Sequence, residues 1–166
     1  VSNHGSYLDP PLLGHALGRP VSFMAKAELF KIPLLSSIIS ACGAYPVSRN
    51  SSDREAIRIA SSRLDQGWAI GVFLDGTRQN NGRVNSPKLG AALLAARTGS
   101  YLLPVAIVNS HRVLQKGSGL LRLLPVKIMI GEVIPPPEDR KKENLKKTTE
   151  VIQNTINTML DHNNLN

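Results

Sequence analysis

Residues 69–74 read Ala-Ile-Gly-Val-Phe-Leu, an unbroken apolar run, and residues 102–108 form a second one after an intervening helical pattern. Apolar runs this short suit strands buried on both faces, because a half-buried strand would alternate. Helical patterns surround them. Ser52-Asp53-Arg54-Glu55 is a capping box that opens a helix through Asp65, with Ala56, Ile59, Ala60 and Leu64 on one face and Gly67 at its stop. Ser86-Pro87 predicts a helix over 88–98, stopped at Gly99. Asp9 is a candidate N-cap for a short helix over 10–17, ended near Gly18, with Pro10 at its first position. Residues 1–2 read as the tail of a strand, 21–25 as a strand, and 28–41 as a mostly apolar helix interrupted or delayed by Pro33. Residues 43–47 are extended, with Pro46 arguing for an edge or loop. Residues 109–119 read as a loop, 126–134 as a strand and 143–160 as a final helix. Strands alternating with helices predict an α/β fold: a mixed, largely parallel central sheet flanked by helices on both faces.

A length of 166 residues bounds one domain, expected over 1–160 with a polar tail at 161–166. Aromatic residues make up 4% of the chain, which leaves little for base stacking and argues against a nucleic-acid partner. The single cysteine, Cys42, excludes an internal disulfide and a multi-cysteine zinc site. It follows Ile38-Ile39-Ser40-Ala41 and reads as a small buried hydrophobe. The net charge of +8 favours anionic partners and is compatible with both membranes and phosphates. The longest charge-free stretch, 32–48, contains Pro33, Gly43 and Pro46 and makes a poor spanning helix. The first polar motif begins two residues into the chain, so an N-terminal strand and any membrane anchor are expected to lie outside it.

That motif is Asn3-His4-Gly5-Ser6-Tyr7-Leu8-Asp9. A histidine beside a carboxylate is a general-base pair, the acid fixing the ring's tautomer and stabilising the imidazolium. The same two residues can also serve as turn and cap residues before a helix. No Gly-x-Ser-x-Gly nucleophile elbow occurs in the chain. A base here would therefore activate a substrate hydroxyl, giving direct group transfer without a covalent intermediate. A metal site from His4, Asp9 and His15 lacks a recognised ligand spacing, and no cofactor is expected.

Three further polar sites follow predicted strands, where open α/β sheets place ligands. Ser48-Arg49 follows 43–47, Asp75-Gly76-Thr77-Arg78 follows 69–74, and Lys88 with Gly90 opens the next helix. Two arginines and a lysine near a helix N-terminus form a candidate phosphate site, although lone surface cations are usually just solvated. Gly76 allows a sharp turn and close backbone approach. Asp75 is awkward beside a phosphate. Its expected task is to hold Arg78 or to accept a bond from the Thr77 hydroxyl or a loop N–H.

The order of these blocks, with Leu103-Pro104-Val105-Ala106 as a fourth, resembles the glycerolipid acyltransferase family and within it the lysophosphatidate acyltransferases. The resemblance runs from Asn3 to about Val108. It implies that His4 is the base for a glycerol hydroxyl, oriented by Asp9. Arg49 and the Gly76-Thr77-Arg78 loop would bind the glycerol phosphate. The acyl donor would be a thioester of CoA or acyl-carrier protein, used as a co-substrate at the cytoplasmic side of a membrane surface. The family's third block usually reads Phe-Pro-Glu-Gly-Thr-Arg. Here Leu74 and Asp75 replace the Pro and Glu, so the acid is kept but shortened by one methylene. Two alternatives stay open: an acyltransferase or transacylase using another lysophospholipid acceptor, and a non-catalytic lipid-binding module of the same fold.

Overall fold

A computed structural model of the chain describes residues 1–47, 53–114 and 122–163. They divide into two compact units, one made of Val1–Asp9 with Phe73–Asn166 and the other of Pro10–Val72. The fold is α/β with mixed strand pairing: a three-stranded parallel sheet and a two-stranded antiparallel pair.

The unit Pro10–Val72 begins within helix α1 (Asp9–Leu17), after which the chain turns at Gly18 with φ 59°. Strand β1 (Val21–Lys26) leads into a 3-10 turn (Ala27–Lys31) and helix α2 (Pro33–Ala41). Proline fits the start of a helix, where its missing N–H costs nothing, and so α2 begins at Pro33 rather than at residue 28. Strand β2 (Tyr45–Val47), helix α3 (Asp53–Asp65) and strand β3 (Ala69–Gly71) complete the unit. The sheet order is β2-β1-β3, with Met24 opposite Tyr45 and Val21 opposite Ala69. Parallel neighbours need crossovers, and α2 and α3 supply them. Pro46 sits in β2 at the end of this sheet, where a missing ladder donor is tolerated.

Two expectations are corrected here. Cys42 is exposed, not buried. Helix α2 before it buries no residue, with Leu34 76% and Ile38 54% exposed. Ser36, Ser37 and Ser40 share one side of α2 and Leu34, Leu35, Ile38 and Ile39 the other, and an apolar side does not by itself specify what covers it. The apolar run at 69–74 also divides. Strand β3 ends at Gly71 and is only half-buried, whereas Phe73 bridges Ser2 and the Leu74 N–H bonds the Ser2 carbonyl at 2.9 Å.

In the unit of Val1–Asp9 and Phe73–Asn166, Ser2 pairs in parallel with both Phe73 and Val105. Residues 1–2 thus occupy a strand position, as expected. Strand β4 (Val105–Val108) is buried throughout and pairs antiparallel with β5 (Lys127–Ile130), Val105 opposite Ile130. Ile134 makes a separate bridge to Leu102, so the strand expected over 126–134 is two short pairings. Helix α4 (Gly90–Thr98) begins two residues later than expected, with Lys88 outside its first turn, and buries Ala91, Ala92, Leu94 and Ala95. A short helix, α5 (Ser110–Val113), occupies part of the expected loop after Asn109, which adopts φ 67°. Helix α6 (Lys142–Asp161) packs on β4 and α4 through Leu145, Thr149, Ile152, Ile156 and Leu160, a stripe at helical spacing. Among the described residues no helix is long and apolar enough to cross a membrane.

Candidate active site

His4 and Asp9 meet. His4 Nδ1 lies 2.7 Å from Asp9 Oδ2. A carboxylate can only accept, so Nδ1 donates and Nε2 is left as the nitrogen that can take a proton. The same carboxylate oxygen accepts the Gly5 N–H at 2.8 Å and the Ser6 N–H at 2.9 Å. Asp9 is fully buried, and these three donors on Oδ2 offset part of the desolvation of its charge, while Oδ1 has no hydrogen-bond partner among the described residues. The His4 ring stacks on Phe73, with centroids 3.9 Å apart and planes 13° off parallel. Its carbonyl accepts the Gln79 N–H at 2.8 Å. Side chain and backbone of His4 are therefore both held, which is what a general base needs to keep its aim.

Asn3 anchors this loop. It is 1% exposed. Its amide nitrogen donates to the Gly82 carbonyl at 2.6 Å and to the Ile107 carbonyl at 2.9 Å, and its oxygen accepts the Ile107 N–H at 2.8 Å. One side chain thus ties the His4 loop to β4 and to the turn at Gly82.

His111, on α5, packs into the same place. A Cβ built on Gly5 would fall 2.6 Å from the His111 Cβ, and one on Gly82 would fall 2.4 Å from its Nδ1. Both positions must be glycine for the imidazole to fit. His111 Nδ1 is buried without a hydrogen-bond partner among the described residues. Burial, with the Arg112 charge, lowers the His111 pKa from its ordinary value despite a weaker opposing pull from Asp9. Sequence reasoning missed this residue, since Gly5 and His111 lie far apart in the chain and no motif joins them.

The loop after Phe73 carries the other candidates. Gly76 adopts φ 67°, and a Cβ there would meet nothing nearer than Lys88 Cγ at 3.9 Å, so backbone conformation rather than space selects glycine. The Lys88 stem therefore lies beside Gly76, while its N–H bonds the Leu74 carbonyl at 2.8 Å. That amide is spent on the loop and is not a free helix-terminal donor. Thr77 is exposed and Arg78 partly buried. Asp75 is 4% exposed, and its carboxylate accepts the Asn85 N–H at 3.1 Å and the Ser86 N–H at 2.9 Å. Of the roles open to it, the structure gives the loop N–H contact, which ties the Asp75 carboxylate to the backbone at Asn85 and Ser86. The far end of the loop is tied to α6: Val84 exchanges bonds with Asn157 at 3.1 and 3.0 Å and accepts from Gln153 at 3.0 Å. Arg49 lies outside the described residues, as do Ser48 and the capping Ser52.

A family model described as Acyltransferase matches residues 1–108. The chain belongs to the acyltransferase family. Among solved structures, the 1-acyl-sn-glycerophosphate (LPA) acyltransferase PlsC of Thermotoga maritima is similar, with a TM-score of 0.75 and 31% identity, covering 95% of this chain and 64% of that one. The chloroplastic 1-acyl-sn-glycerol-3-phosphate acyltransferase LPAT1 of Arabidopsis thaliana is 32% identical over 137 residues, 81% of this chain and 38% of that protein. The 1-acyl-sn-glycerol-3-phosphate acyltransferase of Borreliella burgdorferi is 29% identical over 166 residues, covering 94% of this chain and 63% of that protein. The chain thus spans from 38% to 64% of the length of these relatives. The acyltransferase match includes His4, Asp9, Arg49, Asp75, Gly76, Thr77, Arg78 and Lys88. Helix α6, which holds the loop at Val84, lies beyond it.

Proposed function

We propose that the protein transfers a fatty acyl group from the thioester of acyl-CoA or acyl-carrier protein to the free hydroxyl of lysophosphatidate, giving phosphatidate. The observation that carries this reading is the His4–Asp9 pair, joined at 2.7 Å with the acid fully buried, in a chain of the acyltransferase family. Nε2 of His4 takes the proton as the acceptor oxygen attacks the thioester carbonyl carbon. The new C–O bond forms, the C–S bond breaks, and the proton passes to the departing thiolate. No acyl-enzyme intervenes. Arg78 and Lys88, with Gly76 and Thr77 between strand and helix, bind the acceptor phosphate, and Arg49 is the further cation proposed for it. The names of the relatives support lysophosphatidate as acceptor.

The reaction takes place at a membrane surface, on the cytoplasmic side where thioester donors are found. The exposed Leu34 and Ile38 of α2 and the net charge of +8 support contact with an anionic lipid surface. Flotation with anionic vesicles tests this, and unchanged recovery of a Leu34→Ser, Ile38→Ser double variant would remove α2 from that role.

A thiol-release assay with both donors and a panel of lysophospholipid acceptors tests the function. Lysophosphatidate is expected to give the highest kcat/KM. A second reading, transfer to another lysophospholipid, draws on Leu74-Asp75 standing where the family has Pro-Glu. Preference for a lysophospholipid with a further headgroup would favour it, and thiol release independent of any acceptor would overturn both.

A further inference from the structure

Tyr7 is a large side chain left 61% exposed, in a loop whose other residues are tightly held. The amides of Gly5 and Ser6 just before it are bound by Asp9, which stands two residues after it. The backbone that carries the ring is therefore fixed with respect to His4. The ring lies against Arg78, its centroid 3.5 Å from the guanidinium carbon. That is well inside the range in which an aromatic face attracts a cation.

Arg78 has no other anchor among the described residues. Asp75, the nearest acid in sequence, has its oxygens engaged by Asn85 and Ser86. Among the described residues no ion pair to Arg78 occurs, and its Nη1 is buried without a hydrogen-bond partner. A guanidinium offers two kinds of surface. Its faces suit aromatic rings, and its N–H edges suit the oxygens of carboxylates and phosphates. Here the ring takes a face and the edge stays unpaired. A buried N–H without an acceptor is costly, and an anion bound at that edge removes the cost.

We infer that Tyr7 is a positioning residue for the acceptor phosphate: its ring stacks on Arg78 and fixes the guanidinium with an N–H edge ready for the anion. The inference rests on the proposed reading of Arg78 as a phosphate ligand. The physical gain is preorganisation. A free arginine loses rotamer freedom when it grips a phosphate, and one already stacked has lost it beforehand. Because Tyr7 belongs to the loop that bears His4 and Asp9, the ring also couples the position of the bound phosphate to that of the base. No hydrogen bond of the phenol hydroxyl contributes among the described residues, so the ring and not the hydroxyl does this.

Steady-state kinetics of Tyr7→Leu and Tyr7→Phe, alone and combined with Arg78→Ala, test the inference. Tyr7 is exposed, so neither change threatens folding. Tyr7→Leu is expected to raise the KM for lysophosphatidate about 2- to 30-fold, the range of a cation–π contact. The kcat at saturating acceptor and the KM for acyl-CoA should stay within about twofold on the same scale. Tyr7→Phe should restore most of the affinity. In the Arg78→Ala background, Tyr7→Leu should add nothing, because the partner of the ring is gone. Additive losses in that background, a loss in kcat alone, or a Tyr7→Phe as impaired as Tyr7→Leu would each overturn the inference. If Arg78→Ala raises the lysophosphatidate KM while Tyr7→Leu is silent, the stacking role alone falls. If Arg78→Ala leaves that KM unchanged, the phosphate reading of Arg78 falls with it.

Discussion

The two compact units of this protein differ in what they do with their side chains. The unit of Val1–Asp9 and Phe73–Asn166 holds every candidate site residue that the structure describes. It is organised by buried polar contacts: Asn3 on β4, Asp9 on His4, and Asp75 on its own loop. Its longest helix, α6, is polar on most sides yet buries a stripe of five residues. The unit Pro10–Val72 contains α2, a more apolar helix that buries none. Apolar content alone does not decide which helix anchors a core. Helix α6 has one apolar face and can commit it. Helix α2 also has an apolar side, Leu34, Leu35, Ile38 and Ile39 opposite Ser36, Ser37 and Ser40, but leaves Leu34 and Ile38 exposed.

The contrast is sharpest for catalysis. His4→Ala is expected to lower turnover by on the order of 100- to 10,000-fold while the protein keeps the circular-dichroism spectrum of the folded chain. A comparable loss of turnover from Ile38→Ala, in a soluble assay with short-chain substrates, would break the division between the units. For stability, Ile156→Ala should cost about 2–5 kcal/mol in denaturant unfolding, since Ile156 is fully buried. Ile38→Ala should stay within about 0.5 kcal/mol. Equal effects of the two would mean that α2 is covered in solution.

Asp75→Asn comes next. The carboxamide would turn an NH2 toward one of the two backbone N–H groups that the acid now accepts. The expected cost is about 1–3 kcal/mol of stability together with a raised KM for lysophosphatidate. Wild-type values on both counts would reduce Asp75 to a replaceable turn residue.

A smaller effect concerns pH. Burial keeps His111 neutral and lowers its pKa in the fold. As pH falls through the ordinary histidine value of 6.5, the unfolded chain takes up the proton before the folded one does. Stability should therefore decline with acidity from that point downward, and His111→Gln should flatten the decline. A slope that survives the substitution would assign it to another group. The smallest effect is expected at Cys42. Its exposed thiol should react readily in the folded protein, and neither alkylation nor Cys42→Ala should change turnover. Inactivation prevented by acyl donor would contradict direct transfer.

Much of the candidate site's geometry was legible as short-range pattern. His4 and Asp9 are close enough in sequence for one turn to join them, and Gly76 announces its loop by the conformation only glycine takes easily. The strand–helix alternation likewise gave the fold class, because each period reflects a local choice. The misreadings share a cause. Cys42 was expected to be buried because it follows an apolar run and apolar side chains avoid water, but avoiding water does not name a partner. The run at 69–74 was expected to be one strand, but its two ends pair with different segments.

By itself, then, the sequence determined the α/β alternation, the His4–Asp9 pair, the cationic loop through Arg78 and the family to which these blocks belong. Tertiary structure alone decided that Asn3 would bind β4, that Asp75 would spend its charge on Asn85 and Ser86, and that Tyr7 would lie on Arg78. It also decided that His111 would fill the space left open by Gly5 and Gly82. The physical reason is range. Turn chemistry and hydrophobic period act over a few residues and leave a mark in the local pattern. A contact between Gly5 and His111, or between Tyr7 and Arg78, depends on how the intervening elements pack, and no short stretch of sequence records it.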